Sequence, residues 1–265
     1  MMEVLRGHVL LFKCPSGASE AEDSYVQTLQ SAGFHSTCIP ALSFNYINDE
    51  CLVKDLKRPE EFSAMIITSQ NGSRGIQHAL DKHSLNEEWK NSLSLQWAKL
   101  PCFVVGPATA NTVSDLGLNA VGADTGRGDL LFPLIESTLS KDSKPVLYPC
   151  GNLSREVIPQ KMAQAGLQLR SVTVYETCPD PGIRSNMREL LEKKKGVPEY
   201  LVYFSPSGVK NTWDDLNAVG LPFDRVKVLA IGTTTEEALM TKNVSVLTAA
   251  KPTPRHVLDC LQKDL

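Results

Sequence analysis

The chain has 265 residues, of which 42% are hydrophobic and 22% charged, proportions typical of a soluble globular protein with one large or two medium domains. Its net charge of −3 lacks the basic excess that a nucleic-acid-binding protein normally carries, so we expect no nucleic acid partner. No apolar run approaches the roughly 20 residues of a membrane helix, so we expect no membrane partner either.

The predicted elements alternate between strands and helices along the chain. The first apolar run is too short for a signal peptide and no small-residue cleavage site follows it, so it predicts a buried strand. The predicted strands are Val9–Lys13, Phe34–Pro40, Met65–Ser69, Phe103–Gly106, Val146–Pro149, Leu169–Tyr175, Leu201–Ser205, Val228–Gly232 and Val244–Leu247. The predicted helices are Ala21–Ala32, Gly72–His83, Glu87–Trp97, Thr109–Leu116, Asp129–Thr138, Arg155–Ala165, Met187–Lys194, Val209–Val219, Thr235–Thr241 and Pro254–Gln262. Short apolar strands alternating with helices predict a parallel α/β sheet.

Glycine follows the end of several predicted helices. It does so at Gly33, Gly117, Gly166 and Gly220, where a left-handed residue commonly ends a helix, and Asn243 is predicted to adopt the same conformation. The recurring unit is therefore strand, polar turn, helix, glycine, strand.

Two extended segments interrupt this rhythm. Ile39–Tyr46 and Val172–Pro181 have alternating side chains and flanking prolines, and we interpret them as crossovers between two domains. Residues 1–41 and 178–265 would then form one α/β domain, and residues 42–177 a second one inserted into it. Spacing alone leaves this as one option among several.

Five predicted strands end in a small polar turn that contains glycine or proline and opens a helix. The turns are Thr68–Gly72, Gly106–Thr109, Cys150–Ser154, Ser205–Gly208 and Gly232–Thr235. Ile67–Ser69 resembles Phe204–Pro206, and Val105–Thr109 resembles Ile231–Thr235. Helix N-termini present free backbone N–H groups to anions, and ligands of open α/β sheets bind at the carboxyl ends of the strands. Any one turn is better explained as an ordinary N-cap, but the five together predict a face that binds a polyanion.

Three side chains are candidates for chemistry or charge. Tyr175 is either a half-buried aromatic residue or a phenol that donates a proton beside a cleft. Lys227 is either a solvated residue at a strand start or a cation for a carboxylate, and Arg155 either covers the surface or forms a bidentate pair with a carboxylate. No Ser-His-Asp or Cys-His set and no carboxylate pair stands out near the turns. This absence indicates chemistry that needs little acid–base machinery, or no chemistry.

Motifs for metals and nucleotides are missing. The seven cysteines are scattered and form no C-x-x-C pair, which is typical of reduced thiols in the cytosol. The five histidines have no metal-ligand spacing, so we expect no metal. The dinucleotide fingerprint and the P-loop are also absent, so nucleotide binding has no motif support.

Seven short motifs occur in a fixed order along the chain. They are Thr68–Ser69, Val104–Ala110, Leu147–Glu156, Val172–Thr177, Tyr203–Gly208, Ala230–Thr235 and Pro252–Pro254. Each motif is weakly specific on its own, but the ordered set is specific and resembles the uroporphyrinogen-III synthase family. The resemblance extends from about Val9 to Leu258, and the motif sequences are most similar to those of the animal members. The resemblance implies two flavodoxin-like α/β domains with parallel sheets, a two-stranded linker, and an active site in the cleft between the domains.

The resemblance also implies an activity. Members of this family are lyases of haem biosynthesis that convert the linear tetrapyrrole hydroxymethylbilane to uroporphyrinogen III, with loss of water and inversion of ring D through a spiro intermediate. Their substrate carries eight carboxylates, which fits the polyanion predicted from the turns. We therefore expect a cytosolic monomer without a cofactor or metal, to which the preceding enzyme of the pathway hands over the substrate. Such a reaction depends mainly on positioning, with one proton donated to the departing hydroxyl.

Site residues follow from matching positions to the family pattern. Tyr175 matches the proposed proton donor, and we expect Thr234, which matches a residue lining the cleft, to share the catalytic role. The expected substrate-binding residues are Thr68, Ser69, Asn71, Gly106, Thr109, Gly151, Asn152, Arg155, Ser205, Ser207, Gly208, Lys227, Gly232 and Thr235. Gln70, Asn71 and Ser73 stand where the animal members have proline, arginine and an apolar residue, and asparagine also occurs at position 71 in the wider family.

Two other functions compete with this interpretation. One is a non-enzymatic two-domain binder of a small anionic ligand, similar in build to periplasmic binding proteins, and the lack of a signal peptide counts against it. The other is an interaction module, in which the five turns would have no ligand.

Overall fold

The structure is a computed structural model that describes residues 7–16, 19–154, 157–192 and 196–265. The chain divides into two compact units: unit 1 comprises Met1–Ser43 and Cys178–Leu265, and unit 2 comprises Phe44–Thr177. The chain passes from unit 1 to unit 2 between Ser43 and Phe44, two residues later than the expected boundary between residues 41 and 42. It returns to unit 1 between Thr177 and Cys178, where the second boundary was expected.

The described strands are numbered in chain order. They are β1 His8–Phe12, β2 His35–Cys38, β3 Leu42–Tyr46, β4 Ala64–Ile67, β5 Pro101–Val104, β6 Asn119–Val121, β7 Val146–Gly151, β8 Leu169–Pro179, β9 Tyr200–Tyr203, β10 Lys227–Ile231 and β11 Val246–Ala249. Four strands (β1, β4, β7 and β9) are buried along their whole length, as their continuous apolar sequences predict.

The α-helices are numbered in the same way. They are α1 Ser24–Ser31, α2 Asp49–Leu56, α3 Gln70–Lys82, α4 Asn86–Glu88, α5 Ser94–Trp97, α6 Pro107–Asp115, α7 Gly128–Thr138, α8 Val157–Ala165, α9 Ile183–Glu192, α10 Pro206–Ala218, α11 Thr233–Met240 and α12 Pro254–Asp264. A π-helical segment, Trp89–Leu93, joins α4 to α5. Nowhere in the described ranges is a helix both long and apolar enough to cross a membrane.

Unit 1 is a five-stranded parallel sheet covered by helices on both faces. Its strand order is β2-β1-β9-β10-β11, which is the flavodoxin order 2-1-3-4-5 when the five strands are counted along the chain. Helices α1 and α12 pack on one face, where Val26 and Val257 are fully buried. Helices α9, α10 and α11 pack on the other face, around Tyr203 and Leu216.

Unit 2 contains a six-stranded sheet in the order β3-β8-β7-β4-β5-β6. The neighbouring pairs from β8 to β6 are parallel. If β7 is counted as strand 1, β8 as strand 2, and β4, β5 and β6 as strands 3, 4 and 5, the order is again 2-1-3-4-5. Unit 2 therefore has a circularly permuted flavodoxin order, in which the sequence begins with strand 3. Helices α2, α3 and α6 cover one face of the sheet, and helices α7 and α8 cover the other.

The two pairs of similar turns lie at equivalent places in the two sheets. Ser69 follows β4 and Ser205 follows β9, each the third strand in the flavodoxin order. Gly106 follows β5 and Gly232 follows β10, each the fourth, with φ of 82° and 83°. The sequence similarity between the turns therefore reflects a structural equivalence between the units.

Strand and helix prediction misses mainly the weak elements. The short edge strand β6 and helix α2 were not expected, and Glu87–Trp97 is interrupted by the π-helical segment instead of being one α-helix. The five expected left-handed helix ends, at Gly33, Gly117, Gly166, Gly220 and Asn243, all have positive φ.

Candidate active site

Tyr175 is the centre of a polar cluster at the carboxyl end of the unit 2 sheet. Its hydroxyl lies 3.0 Å from the Oγ of Ser69. Phe44 packs edge-on against its ring at a centroid distance of 5.8 Å. Because β4 and β7 are neighbours at which the strand order reverses, this cluster lies at the switch point where ligands of open α/β sheets bind.

A β-bulge in β8 determines where the Tyr175 side chain points. Cys150 pairs with Thr173 and Gly151 pairs with Tyr175, so Val174 is an extra residue in the ladder. Val174 and Tyr175 both pack against the α3-side core, although successive residues of a regular strand point to opposite faces. The bulge therefore aims the phenol at Ser69.

Gly151 leaves the space that the Tyr175 ring occupies. A Cβ placed on Gly151 would lie 2.4 Å from Cζ of Tyr175 and 2.7 Å from its hydroxyl oxygen. The neighbouring Asn152 holds the same strand end, because its N–H donates to the Tyr175 carbonyl and its Oδ1 accepts from the Thr177 N–H, both at 3.0 Å. The expected site residues Gly151 and Asn152 thus support Tyr175 directly.

The two serine turns act as N-caps. Ser69 Oγ accepts a hydrogen bond from the Gly72 N–H at 3.3 Å, and Ser205 Oγ accepts one from the Gly208 N–H at 3.1 Å. The Gly208 N–H therefore already has a hydrogen-bond acceptor within the chain, Ser205 Oγ. Ser205 Oγ also lies 3.0 Å from the exposed Ser207 Oγ, so this turn presents hydroxyl groups at its surface.

The two glycine turns are uncapped. Helices α6 and α11 have no side-chain N-cap, because the N-cap residue of each is a glycine, Gly106 and Gly232. A Cβ at either glycine would meet nothing within 4 Å in the part of the chain that the structure describes. The N–H groups in the first turn of these helices have no N-cap side chain as a partner, and α6 offers one fewer because it begins with Pro107. An anion-binding turn needs such N–H groups.

The side chains of two threonines expected at the substrate are buried. Thr109 and Thr235 are only 5% and 1% exposed, because the third position of each helix points into the core. The exposed residues are those one position earlier, Ala108 and Thr234. Thr234 thus has the accessible hydroxyl that a catalytic residue needs, whereas Thr109 and Thr235 do not present theirs to a ligand.

Lys227 does not join the other residues expected at the substrate. It is the first residue of β10, and in a parallel sheet this places it at the edge opposite to Ser205 and Gly232. Its ammonium pairs with Asp264 at 2.6 Å, and Asp264 also accepts a hydrogen bond from the Tyr200 hydroxyl at 2.8 Å. This lysine therefore belongs to a structural ion pair with helix α12.

Of the remaining expected residues, Asn71 is half-buried in the first turn of α3, with its Oδ1 3.5 Å from Arg74 Nη1. Thr68 Oγ1 lies 3.3 Å from the Tyr148 hydroxyl. Arg155 lies outside the described residues. Among the residues described, no group of three or more His, Cys, Asp and Glu side chains is arranged to hold a metal.

Sequence reasoning missed several residues at the same sheet edges. Lys13 follows β1 at the switch point of unit 1, where it pairs with Asp23 and lies 5.7 Å from the Phe204 ring centre. A sixth glycine-containing turn, Gly122–Gly128, follows β6 and contains Arg127. Its glycines and the helix pattern that follows were the available signal, but the strand before it is too short to be recognised.

The comparisons with known proteins identify the family. A family model described as "Uroporphyrinogen-III synthase HemD" matches residues 23–259. The chain belongs to this family. The uroporphyrinogen-III synthase of Schizosaccharomyces pombe is 29% identical over 225 residues, 83% of each chain, and that of Saccharomyces cerevisiae is 27% identical over 263 residues, 91% of each chain.

Solved structures of uroporphyrinogen-III synthases have the same fold. The Helicobacter pylori protein matches 98% of this chain and 100% of its own with a TM-score of 0.58 and 19% identity. A mutant Thermus thermophilus protein matches 97% and 99% with a TM-score of 0.53 and 17% identity. The two-domain α/β architecture with parallel sheets is therefore that of the uroporphyrinogen-III synthases.

Proposed function

We propose that this protein is a uroporphyrinogen-III synthase that cyclises hydroxymethylbilane with loss of water and inversion of ring D. The observation that carries the proposal is the family match over residues 23–259. In enzyme class it would be a lyase that works without a cofactor or metal, in haem biosynthesis. The non-enzymatic binder of a small anion is not favoured, because the relatives named above are synthases.

The strand-end turns are proposed to bind the substrate's carboxylates. The uncapped N-termini after Gly106 and Gly232 offer N–H groups, and Ser205 and Ser207 offer hydroxyls. Carboxylates are stabilised at such sites by the helix dipole and by direct N–H donation. The enzyme's main contribution would be to hold a flexible chain in the one geometry from which ring D attacks through its substituted carbon.

Tyr175 is proposed to protonate the departing hydroxyl. The hydroxyl then leaves as water, and the azafulvenium ion that remains, which keeps its pyrrole N–H, is the electrophile for ring D. Support comes from the position of the phenol at the sheet's switch point, fixed by Ser69 and by the space at Gly151. Thr234 is proposed as a second catalytic residue, because its side chain is exposed in the first turn of α11.

We further propose that the protein acts as a monomer in the cytosol and receives hydroxymethylbilane directly from the preceding enzyme. The reason for the hand-over is chemical, because the free substrate closes spontaneously to the isomer without inversion. A rapid transfer would limit that side reaction.

The test of the activity is an isomer assay. Hydroxymethylbilane is supplied to the purified protein, the products are oxidised, and uroporphyrin isomers I and III are separated. We expect isomer III to dominate with the protein and isomer I without it. If the ratio with protein equals the spontaneous ratio, the proposed function is wrong.

A further inference from the structure

A pocket lined in part by Thr68, one of the expected substrate-binding residues, opens at the carboxyl end of the unit 2 sheet. Its volume is about 680 Å³, within the ~300–1,000 Å³ of typical small-molecule sites. Val105, Val157 and Ile158 line it with apolar surface, and Thr68, Tyr148 and Arg127 line it with polar groups. It lies on the side of the sheet covered by α7 and α8, whereas Tyr175 packs on the side of α3.

The guanidinium of Arg127 already holds a carboxylate at this pocket. Its Nε and Nη2 donate to the two oxygens of Asp129, each at 2.9 Å, in the parallel two-bond geometry that arginine forms with carboxylates. Hydrogen bonds from Arg127 lower the pKa of the Asp129 carboxyl, so this group is ionised at neutral pH. The pocket therefore contains a carboxylate-binding arginine, Arg127, whose present partner is the side chain of Asp129.

The resident carboxylate is easily replaced. The side chains of Arg127 and Asp129 are 68% and 38% exposed, and exposed ion pairs of this kind contribute little to stability. Exchange of Asp129 for another carboxylate keeps the number of charge-assisted hydrogen bonds to Arg127 unchanged. Helix α7 begins at Gly128, so its positive end favours an anion at the same place whichever carboxylate is bound.

Thr68 and Tyr148 form a second polar group in the lining, which can hydrogen-bond to a neutral or anionic ligand. Thr68 Oγ1 and the Tyr148 hydroxyl lie 3.3 Å apart, and burial raises the pKa of the Tyr148 phenol. The phenol is therefore protonated and can donate a hydrogen bond through this pair. Together with the three aliphatic side chains, the lining matches a flat ring that carries a carboxylate arm.

We propose that this pocket binds one pyrrole ring of the substrate, whose carboxylate arm displaces Asp129 from Arg127. This proposal takes the identity of the ligand, a tetrapyrrole, from the proposed function. It adds a binding subsite in unit 2 and a carboxylate, Asp129, that the substrate must displace. Arg127 acts as a specificity-determining residue, and Asp129 as an internal competitor of the substrate.

The first test compares charge variants in the isomer assay. Arg127→Gln should raise KM for hydroxymethylbilane about tenfold with kcat within about twofold, whereas Asp129→Asn should lower KM about threefold. Arg255→Gln is the matched control, since Arg255 pairs with Asp259 at 2.9 Å on the exposed surface of α12. Opposite shifts of KM for the first two variants support competition; equal shifts, or none, overturn it.

The second test is independent of turnover. Porphobilinogen, a single pyrrole with one acetate and one propionate arm, is titrated into the full-length protein while the arginine Nε–Hε signals are followed by NMR. The Arg127 signal should shift in a saturable way, more readily in Asp129→Asn, while the Arg255 signal stays constant. If no isomer III forms but the Arg127 signal shifts, the proposed function fails and the subsite stands; an unshifted signal in an active enzyme overturns the subsite.

Discussion

The ring of Tyr175 lies directly over the backbone of Gly151, at a distance that leaves no room for a side chain. An added Cβ would stand 2.4 Å from Cζ of the ring. Gly151→Ala should therefore push the phenol away from Ser69 and lower kcat for isomer III by about tenfold or more, because small misplacements of reacting groups are costly. Steady-state kinetics with isomer separation measure this.

The control for that variant is Gly220→Ala. A Cβ at Gly220 meets nothing within 4 Å in the described part of the chain, but its φ of 74° strains any other residue, so this variant should lose stability without moving Tyr175. Similar losses of kcat at matched stability in both variants would contradict a specific role for the Gly151 contact.

Removal of the Tyr175 hydroxyl should slow the reaction and leave substrate binding almost unchanged. A positioned proton donor typically contributes ~10²–10⁴-fold, and we expect Tyr175→Phe to lie at the low end because the hydroxyl of the substrate leaves with little help. The measurement is kcat and KM for isomer III over a range of pH. Unchanged turnover would remove Tyr175 from the role of proton donor.

Ser69 and Ser205 occupy equivalent positions in the two units, so their variants can separate the effect of N-capping on stability from an effect on turnover. Ser69→Ala and Ser205→Ala should each destabilise the protein by about 1 kcal/mol in urea unfolding, the usual cost of losing an N-cap. In addition, Ser69→Ala should lower turnover in the native enzyme but have little further effect in Tyr175→Phe, since the Ser69–Tyr175 hydrogen bond is then already gone. Additive losses of turnover in the double variant would show that Ser69 acts independently of Tyr175.

Lys227→Ala should leave KM and its dependence on salt unchanged. The lysine lies at the amino end of β10 and pairs with Asp264, so the expected effect is a loss of stability below about 1 kcal/mol, as for other exposed ion pairs. Arg127→Gln is the contrasting variant: it should raise KM most at low salt, and its KM should depend less on salt than that of the native protein. A salt-dependent rise of KM in Lys227→Ala would return this residue to the substrate site.

Asp23 should make unit 1 sensitive to acid. Burial alone would raise the pKa of this carboxyl, but hydrogen bonds from Lys13 and Ser16 outweigh it and lower the pKa from 3.8 to about 2. Because the pKa is lower in the folded chain than in the unfolded one, the stabilisation is complete above pH of about 4 and is lost as the pH falls towards 2. It amounts to about 2 kcal/mol.

Urea unfolding of the native protein and of Asp23→Asn between pH 6 and pH 2.5 checks the role of Asp23. The native protein should lose stability more steeply than the variant below pH 4, and parallel curves would contradict the assignment. Asp23 also caps α1 by accepting from the Tyr25 and Val26 N–H groups, so the variant should be less stable throughout.

Sequence patterns predict the buried strands of both units because those strands are continuous apolar runs. They do not reveal the bulge at Val174, since an extra residue in a ladder depends on the partner strand. The orientation of Thr109 and Thr235 depends on where each helix begins, and one position separates a buried hydroxyl from the exposed Thr234. The position of Lys227 at the amino edge of its sheet also follows from the sequence, because this residue comes directly before the apolar run of a parallel strand.

The chain leaves unit 1 after Ser43 and returns to it at Cys178, and the position of these two residues affects how the protein can be divided. Ser43 Oγ and Cys178 Sγ lie 3.2 Å apart, so excision of residues 44–177 leaves two chain ends that a very short link can join. The remaining 131 residues keep the complete 2-1-3-4-5 sheet and both of its helical layers. We therefore expect each unit to fold as a separate polypeptide, and titration of the ligand into each unit alone and into their mixture would measure the contribution of each to affinity.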